Sequence, residues 1–151
     1  MGIKATLAWH FREFEAASTG IRLERDISIE EADVPDFLKI TIYRIVQEAM
    51  GNALKHARAD SISVSLHSME GAFELSIEDD GQGFDIAEVQ KECDFTHGLG
   101  LQSMLERAQL SGGDYELASV PGEGTKIHVR WATTPVYSGE IAHKGWMQSV
   151  E

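Results

Sequence analysis

This 151-residue chain has one cysteine, three prolines, and no apolar run near the roughly 18 residues that a membrane helix needs. A single thiol, Cys93, excludes an internal disulfide. No Cys/His cluster has the spacing of a zinc site, so a reducing, cytoplasmic compartment is expected. The start, MGIKATLAWHF, lacks the charged, apolar, small-residue order of a signal peptide. Cations are also scarce. Thirteen Lys and Arg face 25 Asp and Glu, for a net charge of -12. The acids are spread along the chain, so general attraction to nucleic acid or to an anionic membrane is not expected. A small anionic ligand would have to be held by local groups: a few cations, a metal ion, or bare amides at a helix start.

Apolar residues make up 42% of the chain, enough for one domain with its own core. Residues 5–18 contain neither Pro nor Gly and place Leu7, Phe11 and Phe14 at helical spacing, with Gly20 as the stop. Ile21, Leu23, Ile27 and Ile29 then fall on alternating positions, as in a half-buried strand. Pro35 and Asp36 open a second helix. Alternation over 62–66 and 73–77 around Glu70 and Gly71 predicts a hairpin, and a third helix is expected from Leu99 to Leu110, ending at Gly112 and Gly113. A second hairpin joins YELASV to TKIHVRW through the turn PGEG. Interspersed helices and strands of this kind predict an α+β class, with helices on one face of a mixed or antiparallel sheet.

The second helix carries the most chemistry. Ile42, Ile45, Val46, Ala49, Met50, Ala53, Leu54 and Ala57 recur at the spacing of one buried face. At helical pitch Glu48, Asn52 and His56 form a row along the edge of that face, with Lys55 beside them. A solvated flank would also carry Glu, Lys and His. Asn52 needs a further reason, because Asn competes for backbone hydrogen bonds in a helix interior. A neutral amide oxygen is a suitable hard ligand for Mg²⁺. Two glycine pairs follow. IEDDGQGFD sets Asp79 and Asp80 against Gly81 and Gly83, where acids and a bare backbone suit either a tight turn or a ligand's close approach. THGLGL sets Gly98 and Gly100 at the start of the third helix, either as a flexible entry or as a phosphate site. Residues 85–97 between them are too long for a tight turn and read as a surface loop or a lid.

Taken in order, EAMGNALKHA, DDGQGF, GLGL and PGEGT resemble the N, G1 and G2 boxes and terminal Thr of sensor histidine kinase ATP-binding domains. That superfamily also contains type II topoisomerases, mismatch-repair ATPases and a heat-shock chaperone. The resemblance runs from Ile42 to Trp131, and the short lid and GLGLQSMLERA resemble the nitrate-sensor-like branch. It implies a two-layer α+β sandwich with helices on one face of a mixed sheet, the Bergerat-type fold, over 1–133, followed by a tail over 134–151. It implies ATP and Mg²⁺ as ligands. Asp79 would accept the adenine amine, Thr125 would support the base, and Asn52 would hold Mg²⁺. Lys55 and His56 would meet phosphates, Gly81 and Gly83 would admit the nucleotide, and His97, Gly98, Leu99, Gly100 and Leu101 would form the lid end. Glu48 would be the general base. Thr96 stands where that branch commonly has Gly, a departure that would alter the lid.

Histidine kinases of this type transfer the γ-phosphate first to a histidine followed by an acid on a dimerising helical hairpin. His10 is followed by Phe11, and no other histidine has that context. The chain is therefore expected to be a catalytic domain separated from its phosphoacceptor hairpin. Its expected partners are that hairpin and, through the parent protein, a response regulator. A clamp-type ATPase and a non-catalytic nucleotide sensor are the alternatives within the superfamily.

Overall fold

A computed structural model describes residues 2–18, 20–92 and 98–132. Helix α1 (Ile3–Ala17) leads into strand β1 (Arg22–Ser28), a single 3-10 turn (Glu31–Asp33) and helix α2 (Asp36–Asn52). The hairpin β2 (Ser61–Met69) and β3 (Ala72–Asp79), helices α3 (Ile86–Glu92) and α4 (Gly98–Leu110), and the hairpin β4 (Gly113–Ser119) and β5 (Thr125–Ala132) follow. The expected elements are all present within the described residues, with α3 added inside the segment expected to be a loop or lid. The tail, 134–151, lies outside the described residues, as do His97, Thr96 and Cys93.

The five strands form one sheet in the order β1-β2-β3-β5-β4. β1 runs parallel to β2 and all other pairs are antiparallel, so the sheet is mixed. Alternation builds the two layers. Ile62, Val64 and Leu66 of β2, Phe73, Leu75 and Ile77 of β3, and Ile127, Val129 and Trp131 of β5 are buried on one face. Ile3, Leu7, Phe11 and Phe14 of α1, the apolar stripe of α2, and Met104 and Ala108 of α4 join them in one core. The alternate residues make a polar outer face, where Glu74 pairs with His128 and Arg130 across the β3-β5 ladder. Truncating one of the buried aliphatic side chains to Ala would cost about 2–5 kcal/mol.

Helix α1 has no side-chain cap of its own at Gly2. Glu31, from the 3-10 turn, reaches across instead and accepts the amide N–H groups of Ile3 at 2.9 Å and Lys4 at 3.0 Å. Lys39 Nζ stands 3.0 Å from the same carboxylate. A remote acid thus satisfies the free donors of a helix start and complements its dipole.

One expectation fails on α2. Regular helix stops at Asn52, and Ala53–Ala57 form a π turn, closed by Arg58 in the left-handed region at φ 53°. The wider turn breaks the 100° step on which the buried stripe was drawn. Ala53 remains buried, but Leu54, expected in the core, is 42% exposed. Such widened turns are often found where a helix meets a functional site.

Candidate functional site

A cleft opens between α2, the end of β3, the start of β5 and α4. Ala49, Ala53, Ile77, Phe84, Leu101 and Ile127 supply apolar walls, and Asn52, His56, Asp79, Gln82 and Thr125 supply polar groups. Sheet order explains how distant residues meet here: β3 lies beside β5, and in their register Asp79 faces Thr125.

The two adjacent acids have opposite fates. Asp79 lines the cleft, and burial pushes its pKa above the ordinary carboxylate value, against the lowering effect of the Gly81 and Thr125 amides. Its Oδ1 accepts the Gly81 N–H at 2.9 Å, which leaves further lone pairs for a ligand. Asp80 is structural. Its Oδ1 accepts the amides of Ser61 and Asp60, both at 2.9 Å, and its Oδ2 accepts the Ser61 hydroxyl at 3.0 Å. The Ser61 amide leads the contacts that hold its pKa below the ordinary value. Asp80 therefore ties the end of β3 to the start of β2.

The glycines are likewise divided. Gly83, at φ +65°, has no room for a side chain, since a Cβ there would sit 2.2 Å from the Val120 carbonyl oxygen and 2.9 Å from that of Gly124. Gly124, at φ +83°, would put a Cβ 2.1 Å from the Asp79 carbonyl oxygen. The Gly122 amide also donates to the Gln82 carbonyl at 2.6 Å. The DDGQG loop and the β4-β5 turn are thus interlocked, and Gly83 serves that interlock as well as any ligand. Gly100 is different. A Cβ there would lie 2.3 Å from Glu48 Oε1 and 3.3 Å from Asn52 Nδ2, so the start of α4 rests directly on the acid and amide of α2.

The structure therefore brings Asn52, His56, Asp79, Gly83, Leu101 and Thr125 around one cleft, with Glu48 and Gly100 in contact behind Asn52. Gly81 is held beside Asp79. Lys55 is exposed on the π turn and is not among the residues lining the cleft. Gly98 and Leu99 begin α4, and His97 lies outside the described residues. The sequence reading passed over Gln82, whose side-chain amide donates to the His56 carbonyl and so ties the π turn to the DDGQG loop. It also passed over Ser119, which bonds Phe84, Gly124 and Thr125. The signal for Ser119 lay in the alternation of β4, which sets a hydroxyl after Tyr115 and Leu117 on the half-buried face.

A half-apolar cleft with one acid at its polar end, set between a helix layer and a mixed sheet beside the DDGQG loop, is the arrangement of an α+β domain that holds a small ligand. Residues 38–135 match the family of histidine kinase-, DNA gyrase B- and HSP90-like ATPases, and the chain belongs to that family. It is 36% identical over 131 residues to an uncharacterized sensor-like histidine kinase of Chloroflexus aurantiacus, covering 85% of this chain and 22% of that protein. It is 34% identical over 102 residues to the sensor protein VraS of Staphylococcus epidermidis, covering 68% of this chain and 28% of VraS. The chain thus spans about a quarter of the length of these curated relatives. Among solved structures it resembles the histidine kinase domain of the Erythrobacter litoralis EL346 blue-light activated histidine kinase. There the TM-score is 0.69 and the identity 25%, over 88% of this chain and 62% of that one. The mycobacterial sensor histidine kinase MprB shares the fold, with a TM-score of 0.65 and 19% identity over 89% of this chain and 97% of that one. This is an ATP-binding domain of the kinase type. Among the described residues no helix is long and apolar enough to cross a membrane.

Proposed function

We propose that this domain binds ATP with Mg²⁺ and transfers the γ-phosphate to a histidine on a separate dimerisation domain of a sensor kinase. Transfer takes place in the cytoplasm, and a response regulator is the downstream acceptor. The observation that carries this proposal is the half-buried Asp79 lining the same cleft as Asn52, while Glu48 stands against Gly100 at the start of α4. An ionised carboxylate accepts the exocyclic amine of adenine, and Thr125 supports the base beside it. Among the described residues no group of three or more His, Cys, Asp or Glu could hold a metal. Mg²⁺ takes one or two protein ligands and completes its shell with water and phosphate oxygens. Asn52 would hold the ion, which would neutralise charge on the phosphates.

The chain's own residues then divide the work. His56 and Lys55 meet phosphate oxygens, and the segment containing His97, Gly98, Leu99, Gly100 and Leu101 closes over them. Gly81 and Gly83 keep the base-side loop close to the nucleotide. Glu48 accepts the proton of the attacking imidazole as its nitrogen bonds to the γ-phosphorus and the bond to ADP breaks.

The test mixes this chain with labelled ATP, with and without a helical hairpin carrying the phosphoacceptor histidine. The expected result is no stable label on this chain alone and slow labelling of the hairpin, because separation forfeits the effective concentration of a covalent link. Rapid ATP hydrolysis without transfer would establish the clamp-type ATPase instead, and binding with neither reaction would establish a nucleotide sensor.

A further inference from the structure

Thr125 and Asp79 are paired across the β3-β5 ladder and share the polar end of the cleft. Which atoms of a ligand they can meet depends on where the threonine's single hydroxyl proton goes. Ser119 decides this. Its Oγ lies 3.0 Å from the Gly124 carbonyl oxygen, 2.9 Å from the Phe84 amide nitrogen and 3.0 Å from Thr125 Oγ1. A carbonyl can only accept, so the serine's one proton goes to Gly124. An amide N–H can only donate, so Phe84 takes one serine lone pair. The third contact joins two hydroxyl oxygens, either of which can donate; with the serine's one proton placed on the Gly124 carbonyl, Thr125 is the donor. The threonine is therefore a donor toward Ser119 and presents lone pairs alone to the cleft.

We infer that Ser119 is a specificity-determining positioning residue, which fixes the Thr125 hydroxyl as an acceptor and makes this end of the cleft accept-only. An ionised Asp79 beside it is also an acceptor. Such an edge fits a purine with an amine at position 6, which offers two N–H donors. It disfavours a carbonyl at that position, which would set acceptor against acceptors, whereas the N1–H donor that a 6-oxopurine also carries meets no such opposition. Asp79 alone gives part of this preference. Ser119 adds the rest by withholding a donor that a free Thr125 rotor would swing toward the carbonyl.

This inference rests on the adenine assignment of the cleft, so the experiment separates the two. ATP, ITP and O6-methylinosine triphosphate are titrated calorimetrically against the wild type, Asp79→Asn, Ser119→Ala, Ser119→Thr and Thr125→Val; ITP differs from ATP at position 6 and also by an N1–H donor, and the O6-methyl analogue, which has no N1–H, isolates position 6. The wild type is expected to prefer ATP, and Asp79→Asn to lose that preference. Ser119→Ala is expected to lower the ATP-to-ITP affinity ratio about tenfold, the size of one ordinary hydrogen bond, chiefly by tightening ITP. Ser119→Thr, which keeps the hydroxyl, should retain the wild-type ratio. Thr125→Val should weaken ATP several-fold and leave ITP unchanged or somewhat tighter, and it reports even if Ser119→Ala fails to fold. A Ser119→Ala protein that weakens ATP and ITP equally would show a merely structural serine and overturn the inference while leaving the adenine assignment intact. So would a Thr125→Val protein that weakens ITP more than ATP. A wild type without preference between ATP and ITP would overturn both.

Discussion

Replacing Asp79 by asparagine should separate stability from binding and move them in opposite directions. In the ligand-free protein the carboxylate is partly withdrawn from water, and burial, the dominant influence, raises its pKa. The sign follows by linkage: a carboxyl whose folded pKa exceeds its unfolded value stabilises the fold most when protonated. That contribution is lost as pH rises from the unfolded pKa through the folded one. At neutral pH the ionised Asp79 is therefore a burden on the empty domain, and the neutral amide relieves it. The amide oxygen can still accept the Gly81 N–H that now lies 2.9 Å from Oδ1. Its NH₂ would then face the cleft, where the nucleotide brings another donor. The loss is that of one charge-assisted hydrogen bond, about 1.5–3 kcal/mol, or about 10- to 150-fold in affinity, toward the upper end because donor meets donor. Calorimetric titration with ATP, paired with thermal melts of ligand-free protein from about pH 4 to about pH 8, reads both effects. The expected outcome is an unchanged or raised melting temperature at neutral pH, a flatter dependence on pH, and weak ATP binding. In the wild type, ATP affinity should also fall as pH drops through the raised pKa of Asp79. Wild-type affinity in the variant, or an empty domain that melts markedly lower at neutral pH, would refute the reasoning.

Further outcomes follow from the same geometry. Gly124→Ala should destabilise by about 2–5 kcal/mol, combining left-handed strain with a backbone collision at Asp79, and lower the melting temperature by at least about 5 °C. Gly122→Ala, also at positive φ (+86°) but with nothing within 4 Å of a Cβ, carries the strain alone; equal losses in the two would refute the interlock. Glu31→Gln should cost about 0.5–1 kcal/mol, after allowing for solvent screening of a partly exposed acid. Burial opposes ionisation of Glu31, but the amides of Lys4 and Ile3 and the Lys39 ammonium hold its pKa down from 4.5 to about 2. Its stabilisation is therefore present above about pH 4.5 and lost as pH falls toward about 2, a slope that acid melts of the variant should lack. Glu48→Gln should keep nucleotide but lose transfer, whereas Asn52→Ala should lose Mg²⁺-dependent binding; equal loss of binding in both would make Glu48 structural.

Periodicity and turn chemistry determined much of this protein. The alternation of Ile62, Val64 and Leu66 with serines could bury only one face, and the turn at Gly71 could close only a hairpin, so both β2 and β3 were legible. The four glycine-containing motifs, through their resemblance in order to a known family, likewise implied a nucleotide-binding domain. Local patterns pair the two strands of each hairpin but carry no information on which strands of different hairpins become neighbours. The placement of β5 beside β3, with β4 outside it, was decided by packing the whole sheet, and it alone set Asp79 against Thr125. Nor does a sequence show where a helix will widen. The wheel drawn at 100° per residue kept Leu54 in the core, whereas the π turn leaves it exposed and ties the His56 carbonyl to Gln82. Asp79 and Asp80 differ by one position in sequence, yet one is half-buried in the cleft and the other is spent on the backbone at the start of β2. Hydrogen-bond satisfaction across distant strands made that division, and it could be settled only once the chain had folded.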